Sequence, residues 1–464
     1  MKLALIALAL VAATALAIVF TQTGERRVSL VIVNGTVVTM DGAGRVIANG
    51  GVAVDGSDIV AVDTAEAIER QFAGAERLDA AGQVVMPGLI NTHTHAPMVL
   101  FRGLADDLAL MEWLTKYIFP AEAKTVSPEF VRAGTRLAAL EMIQSGTTTY
   151  TDMYYFEEEI AKETKAAGLR GVLGQTVIQF PVADAKTPAD ALGRAETFIN
   201  AFKGDPLITP AVAPHAMYTL DGPTLMAARG LAMRHGVPTL IHLAETRDEV
   251  KTAQDQYKAS PIGYLDRLGF LGAGVVAAHG VWVSEPEIAV LRQRGVGVSH
   301  NPESNMKLAS GTAPVPGYLA AGVAVGLGTD GAASNNDLDM FEAMRTASLL
   351  HKLQSNDPRV VGARTALEMA TIGGARVLGM ADRIGSLEPG KRADLIVVSL
   401  ASARQTPLYD PISHLVYVTR GDDVRTTIVN GKVLMRDRRV LTLNEGSVLT
   451  EAREWAVKVR AAVQ

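Results

Sequence analysis

Two histidines separated by one residue, His93 and His95, follow an apolar run at 84–90. We predict that this run is a strand, in which residues two apart point to the same face. The two imidazoles would then lie side by side at the strand end, where they could form half of a metal site. Two polar residues in a loop after a buried strand would give the same pattern, so the remaining chain must decide between these interpretations.

Seven more short apolar runs alternate with helical stretches further along the chain. They are 147–151, 172–178, 208–212, 239–241, 275–278, 297–299 and 323–327. Together with the first run they make about eight strands over about 300 residues, which predicts an α/β fold with a (β/α)8 TIM-like barrel. One helix between the strands has clear ends, because Ser127 and Pro128 are typical of a helix start and Gly146 of a helix end.

Residues at the carboxyl ends of barrel strands usually do the chemistry of such a fold. The metal-binding or proton-transferring residues that follow the predicted strands are His93, His95, His215, His242, Glu245, His279, His300 and Asp330. Six of the nine histidines lie there, whereas chance would scatter them along the chain. We interpret the other three, His235, His351 and His414, as ordinary surface or packing residues.

One subset of these strand-end residues has the composition of a catalytic metal site. The first-strand pair, His242 on the fifth strand and Asp330 on the eighth supply three imidazoles and one carboxylate. This ligand set suits zinc best, with iron or nickel as alternatives, and disfavours magnesium and calcium. Three or four protein ligands and an open position are typical of catalytic rather than structural zinc.

Composition removes several other classes of function. The chain has 464 residues, a net charge of -5 and no cysteine. Because the net charge is negative, the chain lacks the excess of basic residues that nucleic-acid binding requires, and we expect no nucleic-acid partner. Without cysteine there can be no disulfide, no thiolate metal site and no cysteine nucleophile, so His and carboxylate side chains must hold any metal.

Two β-rich segments flank the predicted barrel. Residues 28–38 and 425–434 each suggest a strand, a turn at Asn34-Gly35 or Asn430-Gly431, and a second strand. We predict that both chain ends build one small β-sandwich domain into which the barrel is inserted. The predicted parts are 28–83 for the first half of the sandwich, 84–385 for the barrel, and 386–464 for the second half and a C-terminal helix.

The first twenty residues form a separate hydrophobic segment. Residues 3–20 are uncharged and almost wholly apolar, which is close to the shortest length that spans a membrane. The small-residue site at Ala15-Leu16-Ala17 lies inside this run, which favours a retained anchor over a cleaved signal. We predict that residues 1–27 are an anchor or signal segment and that the protein is membrane-anchored or exported. The charges that flank the segment do not determine on which side of the membrane the protein lies.

Four motifs in the chain resemble those of the amidohydrolase superfamily. They are PGLINTHTHAPM at 87–98, HLAET at 242–246, HNPESNMKLASG at 300–311 and GTDGAASNNDLDM at 328–340. The resemblance covers about residues 28 to 440 and includes the split sandwich. It indicates the branch of aminohydrolases that act on adenosine-like and triazine-like rings, and within it the methylthioadenosine/S-adenosylhomocysteine deaminases.

The resemblance implies that His93, His95, His242 and Asp330 bind one divalent metal per chain. His215 stands where two-metal members have a carboxylated lysine, which favours a single metal. Asp330 and His279 would take a proton from the attacking water. Glu245 would protonate the ring nitrogen and then pass a proton to the leaving ammonia.

The resemblance also suggests contacts with the substrate, in addition to those of Glu245 and Asp330. Glu112 resembles the carboxylate that holds the ribose hydroxyls, although an exposed helix residue would look the same. Trp113 could form an apolar wall, His215 could contact the sugar, and His300 could shape the pocket. The resemblance further implies that the protein is a homo-oligomer and that its substrate is a small heterocyclic molecule.

One departure from the family pattern limits the substrate. Members that accept S-adenosylhomocysteine are expected to have arginines after the third strand, where this chain has Gln175 and Gln179. A free carboxylate would lack its bidentate partner there, so methylthioadenosine or adenosine stays open as the substrate. The alternatives are a deaminase or chlorohydrolase of guanine, pterin or triazine rings, and a non-catalytic binding relative.

Overall fold

The computed structural model describes residues 25–463, whose strands form two sheets. In chain order the strands are β1 (Arg26–Val38), β2 (Val46–Asp55), β3 (Asp58–Thr64), β4 (Phe72–Asp79), β5 (Gln83–Pro87), β6 (Leu89–Thr94), β7 (Thr147–Tyr154), β8 (Arg170–Val177), β9 (Ile208–Pro214), β10 (Thr239–Leu243), β11 (Val275–His279), β12 (Gly297–His300), β13 (Val325–Leu327), β14 (Leu395–Ser399), β15 (Val424–Val429), β16 (Lys432–Arg436) and β17 (Arg439–Val440). Strands β6 to β13 form one sheet and the other nine form the second.

Helices connect the strands and cover the barrel. They are α1 (Ala65–Gln71), α2 (Leu110–Trp113), α3 (Phe119–Thr125), α4 (Pro128–Ser145), α5 (Glu157–Ala167), α6 (Pro188–Phe202), α7 (Gly222–His235), α8 (Arg247–Tyr257), α9 (Pro261–Leu268), α10 (Glu285–Arg294), α11 (Pro302–Lys307), α12 (Val315–Ala321), α13 (Met340–Ser355), α14 (Ala363–Glu368), α15 (Gly374–Val377), α16 (Pro411–Tyr417) and α17 (Glu445–Val463). The predicted ends of α4 are confirmed, because the Ser127 side chain accepts from Phe130 N and Gly146 has a left-handed φ of 88°.

The eight parallel strands of the first sheet form a nearly closed barrel in chain order. Its first and last strands meet where Thr92 Oγ1 donates to Leu327 O at 2.9 Å and Asp330 N donates to His93 O at 3.0 Å. Helices follow most of the strands, so the predicted TIM-like barrel is confirmed. All carboxyl strand ends therefore open on one mouth.

The second sheet is built from both chain ends, as the sequence predicted. Strand β14 pairs antiparallel with β5, and β5 pairs with β1, which joins the C-terminal strands to the N-terminal ones. The single strand predicted at 84–90 is wrong, because Gly88 divides it into β5 of this sheet and β6 of the barrel. The domain boundaries and the homo-oligomer stay predictions.

The two Asn-Gly pairs have different outcomes. Asn430 and Gly431 both have left-handed φ, of 52° and 75°, and join β15 to β16 in the predicted tight turn. The turn predicted at Asn34-Gly35 is wrong, because β1 continues through it with an irregular register. Strand β5 lies so close to Gly35 that a Cβ there would be 2.8 Å from Val85 Cγ2, which explains the glycine.

The predicted membrane-anchored or exported location is corrected for the described residues. Between residues 25 and 463, no helix is long and apolar enough to cross a membrane. The hydrophobic segment that prompted the prediction, residues 3–20, lies outside the described residues.

A buried ion pair joins the barrel to the end sheet. Arg170, the first residue of β8, donates from Nε to Asp394 Oδ2 at 2.7 Å and from Nη2 to Asp394 Oδ1 at 3.1 Å. Their side chains are only 1% and 2% exposed. Asp394 Oδ1 also accepts from Asn430 N at 2.7 Å, so one carboxylate connects β8 with the turn between β15 and β16.

We predict that Asp394→Ala lowers the free energy of unfolding by about 3–5 kcal/mol, because it leaves the buried Arg170 charge unpaired. Urea denaturation followed by circular dichroism measures this loss. Asp55→Ala is the control, since Asp55 pairs with Arg26 at the surface, where such pairs contribute about 0–1 kcal/mol. Equally small losses in both variants would contradict the structural role of Asp394.

Candidate active site

Four of the predicted residues meet at the barrel mouth with their ligating atoms in close contact. The Nε2 atoms of His93 and His95 each lie 3.4 Å from Asp330 Oδ1. His242 Nε2 lies 3.4 Å from His95 Nε2. His93 and His95 come from the end of β6 and its next residue, His242 from β10, and Asp330 follows β13. The structure therefore brings together the whole set that the sequence proposed as metal ligands.

Hydrogen bonds on the far side of two rings orient them toward this centre. His95 Nδ1 donates to Met153 O at 2.7 Å, and His242 Nδ1 donates to His215 O at 2.9 Å. Each bond fixes the tautomer that leaves a lone pair on Nε2. His93 Nε2 is buried 3.4 Å from Asp330 Oδ1. The three Nε2 atoms thus converge on one point, where the neutral rings of His95 and His242 present their lone pairs.

The spacing of these atoms fits a divalent metal. Ligands that bind tetrahedral zinc at its usual Zn–N distance lie about 3.3 Å from one another. His93, His95 and Asp330 form one group whose ligating atoms lie within 4.8 Å, and His93, His242 and His279 form another. His93 belongs to both groups, which places it at the middle of the cluster.

Burial sets the charge of these imidazoles. It lowers the pKa of His93 to about 4, against the attraction of Asp330, and it lowers the pKa of His242 well below its ordinary value. Burial also lowers the pKa of His95, but the hydrogen bond and charge of Asp330 outweigh it and raise that pKa to about 9. A cation bound between them would compete with the proton of His95, because metal ligands must be deprotonated.

Two further predicted residues, Glu245 and His279, lie beside this cluster. His279 Nε2 is 3.7 Å from Glu245 Oε2 and 3.9 Å from Asp330 Oδ2. His279 Nδ1 donates to Asn305 Oδ1 at 2.9 Å, which leaves the Nε2 lone pair facing both carboxylates. Burial raises the pKa of Glu245, although His279 opposes this effect. A carboxyl group whose pKa is raised can serve as an acid as well as a base.

The loops after β12 and β13 hold Asp330 in place. Ser304 Oγ donates to Asp330 Oδ2 at 2.7 Å, and Gly331 N donates to Oδ1 at 2.7 Å. Asp330 has a left-handed φ of 66°, and His279 has one of 73°. Non-glycine residues rarely adopt this conformation, and where they do it often marks a functional site.

A cavity opens above the cluster, and its lining combines apolar and aromatic side chains with a few polar groups, as in small-molecule sites. Its lining consists of His95, Met98, Leu110, Trp113, Leu114, Ile118, Phe119, Glu122, Met153, Tyr154, Tyr155, Thr176, His215, Tyr218, His242, Glu245, Leu308, Asp330 and Ser334. One wall is mostly apolar and comes from residues 110–122. The opposite wall holds the ligands and Glu245, so a ring seated between them would face the polar cluster.

A residue that the sequence analysis missed, Glu122, replaces Glu112 in this wall. Glu112 is not among the lining residues; its side chain is 43% exposed and binds Lys116 Nζ at 2.8 Å on the outer helix face. Glu122 is 8% exposed, lines the cavity and accepts from Tyr154 Oη at 2.7 Å. Burial raises its pKa to about 7. An acidic residue on the apolar side of an amphipathic segment was the signal that could have identified it.

Of the other residues predicted to contact the substrate, two line the cavity and one does not. Trp113 and His215 both line the cavity, and their contacts with a substrate stay predictions. His300 does not line it, because its Nε2 lies 3.0 Å from His351 Nε2 in a buried pair behind the cluster. Contact with the next helix outward turns His300 away, which the position at a strand end could not reveal.

The four motifs of the sequence analysis all lie in the region that matches a known family. Residues 84–434 match the model of the Amidohydrolase family. A 5-methylthioadenosine/S-adenosylhomocysteine deaminase of Syntrophobacter fumaroxidans is 49% identical over 437 residues, which cover 94% of this chain and 100% of that protein. A 5'-deoxyadenosine deaminase of Methanosarcina mazei is 45% identical over 438 residues, which cover 94% and 99%.

Among solved structures, an adenosine deaminase of Xanthomonas campestris with bound zinc superposes with a TM-score of 0.93. It is 40% identical and the match covers 94% of this chain and 100% of that one. The likeness therefore extends over the barrel and the end sheet together.

We predict that His93→Asn prevents stoichiometric zinc binding, because His93 lies at the middle of the ligand cluster. The measurement is metal content by mass spectrometry after zinc loading and dialysis, with about one ion per chain expected in the wild type. His235→Asn is the matched control, since His235 contacts Glu196 at the surface. Equal metal content in both variants would rule out this site.

Proposed function

Since this chain belongs to the amidohydrolase family and is a hydrolase of carbon–nitrogen bonds, we propose that it deaminates an adenosine-like nucleoside with an uncharged 5' substituent. The amino group at C6 of the purine ring is replaced by oxygen from water and leaves as ammonia. The inosine analogue is the other product.

The observation that carries this proposal is the placement of two kinds of carboxyl group in one cavity. Glu245 and Asp330 line the polar wall at the histidine cluster, and Glu122 lines the wall on residues 110–122. A carboxylate can accept hydrogen bonds from two neighbouring hydroxyls, which suits the ribose diol. A nucleoside that places its ribose at Glu122 can place its purine ring at Glu245.

The roles of the chain's own residues follow from their contacts. His93, His95, His242 and Asp330 would hold one divalent metal, and the imidazole-rich donor set supports zinc. When bound, the metal would act as a Lewis acid and lower the pKa of a water molecule toward neutrality. His279 Nε2 and the ionised Asp330 carboxylate take a proton from the attacking water, because they lie 3.9 Å apart at the cluster.

Glu245 acts on the purine ring. Burial raises the pKa of the Glu245 carboxyl group, which favours its protonated form. This group donates a proton to N1 as water attacks C6, which prevents negative charge from accumulating on the ring. The resulting carboxylate then takes the proton of the tetrahedral hydroxyl group at C6 and passes it to the amino group, so that the C6 carbonyl forms and ammonia rather than an amide anion leaves. The proton that His279 and Asp330 took from the water returns to Glu245 and restores its acid form. Removal of this proton transfer typically slows a reaction about 10²- to 10⁴-fold.

The wall near the third strand supports an uncharged 5' substituent. Thr176 and the rings of Tyr154, Tyr155 and Tyr218 form this part of the cavity lining, which contains no lysine or arginine. Gln175, at the position where the family pattern led us to expect an arginine, instead donates to Asp184 Oδ2 at 2.8 Å. A homocysteine carboxylate would lose its hydration there without gaining a cationic partner.

We predict zinc-dependent ammonia release from adenosine, 5'-methylthioadenosine and 5'-deoxyadenosine by the full-length protein. S-adenosylhomocysteine should have a kcat/KM about 10- to 100-fold lower, since hydrogen bonds to a charged group contribute about 1.5–3 kcal/mol. A coupled ammonia assay with and without added zinc makes the measurement, and a chelator-treated sample is the control. Release from guanine or an aminotriazine alone would refute the nucleoside assignment.

We predict that Glu122→Gln lowers kcat/KM for adenosine by about 10- to 100-fold, because the neutral amide accepts the ribose hydroxyls more weakly. The effect should largely disappear with 2',3'-dideoxyadenosine, which has no hydroxyls to bind. Glu112→Gln is the matched control and should behave as the wild type. If Glu112→Gln instead impairs adenosine turnover and Glu122→Gln does not, the ribose contact lies elsewhere.

A further inference from the structure

A second glutamate, Glu249, contacts the backbone of the residue that we assign as the proton donor. Glu249 Oε1 accepts from Ala244 N at 2.8 Å, and Oε2 accepts from Glu245 N at 2.9 Å. Its side chain is buried at 3% exposure on the first turn of α8. A side-chain carboxylate has two acceptor oxygens and no donor, so it can satisfy two parallel N–H groups at once.

The turn that Glu249 holds has an uncommon backbone conformation. Strand β10 ends at Leu243, and Ala244 then adopts a left-handed φ of 51°. Residues with a side chain seldom take this conformation unless the surrounding structure enforces it. On the other side of the same turn, Val281 N and Trp282 N both donate to Ala244 O, at 3.0 and 2.8 Å. Glu249 and these two amides therefore hold the turn from both sides.

This turn decides where the Glu245 carboxyl lies. Glu245 follows Ala244 directly, so any rotation about the Ala244 backbone would swing its side chain away from the cluster. At its tip, Glu245 Oε1 accepts from Ser310 Oγ at 3.3 Å, and Ser310 O accepts from Trp282 Nε1 at 2.7 Å. This hydrogen bond is long, and His279 Nε2 lies 3.7 Å from the other carboxyl oxygen, which leaves most of the positioning to the backbone.

We propose that Glu249 is a positioning residue for the deamination: its two carboxyl oxygens fix the Ala244-Glu245 turn so that the Glu245 carboxyl faces the ring nitrogen. This inference rests on the role of Glu245 in the proposed function. Glu249 is not among the residues that line the cavity, so it would act through Glu245.

The test begins with Glu249→Gln. Glutamine keeps the shape of the side chain, but its amide nitrogen cannot accept a hydrogen bond and would face a backbone N–H. We expect kcat to fall by about 10²-fold, the size of effect that a shift of about 1 Å at a catalytic group can produce. The KM and the zinc content should stay unchanged, because the ligands and the cavity wall are intact.

A double-mutant cycle with Glu245→Gln separates positioning from a general structural role. If Glu249 acts through Glu245, then Glu249→Gln should cause no further loss of kcat in the Glu245→Gln background. A full additional loss in that background, or a wild-type kcat in Glu249→Gln alone, would overturn the proposal. Glu249→Asp, which keeps both acceptor oxygens on a shorter side chain, should have an intermediate kcat and provides the same cycle if Glu249→Gln does not fold.

Asp205→Asn is the matched control for removal of a carboxylate that holds two amides. Asp205 Oδ1 accepts from Leu207 N at 2.9 Å and from Ile208 N at 3.1 Å, at the start of β9 and thus at the opposite end of the barrel. Its kcat should equal that of the wild type. The cycle uses whichever aminated ring the wild type deaminates fastest. Failure of the nucleoside assignment can therefore be distinguished from failure of the Glu249 proposal. A wild-type protein that is inactive on every ring would overturn both.

Discussion

The convergence of lone pairs at the barrel mouth is the constraint on which the rest of the site depends. The Nε2 atoms of His95 and His242 lie 3.4 Å apart, and backbone carbonyl oxygens accept the protons on the far sides of both rings. Like partial charges at such a distance repel each other in a site with little water to screen them. A cation removes this repulsion, and Asp330 adds the negative charge that a divalent ion requires. A bound metal therefore offsets part of the cost of burying these polar groups.

Environment divides the carboxyl groups of the cavity into two kinds. Burial would raise the pKa of Asp330, but its hydrogen bonds with His93 and His95 lower that pKa well below the ordinary value, so it stays ionised. Burial raises the pKa of Glu245 and of Glu122, which have fewer donors. The same side-chain chemistry can thus provide an ionised proton acceptor and ligand at one position and a proton donor at another. Ser304, on the helix that follows β12, contributes to this division through its hydrogen bond to Asp330 Oδ2.

Much of the fold and most of the candidate site could be predicted because their signals are local or strictly periodic. The residues after the barrel strands were identifiable, since parallel strands place their carboxyl ends at one mouth whatever the loops between them do. The segment at 110–122 was harder to interpret, because two glutamates lie on one helical stretch with a π-helical turn at Leu114–Ile118 between them. Only the packing of that stretch against the barrel decides that Glu122 faces the cavity and Glu112 the solvent. His300 illustrates the same limit, because its partner His351 is distant in sequence.

The barrel, the sheet made from both chain ends, the cluster of histidines and carboxylates, and the family could all be inferred from the sequence. These properties follow from strand periodicity and from motifs whose residues are close together in the chain. The tertiary structure decided that β5 leaves the barrel, that Asn34-Gly35 continues a strand whereas Asn430-Gly431 turns, and that Glu249 holds the backbone of Glu245. Each of these depends on contacts between residues from different elements, such as Val85 against Gly35. A local pattern cannot specify them, because the neighbour that selects one conformation over another is supplied by the folded chain.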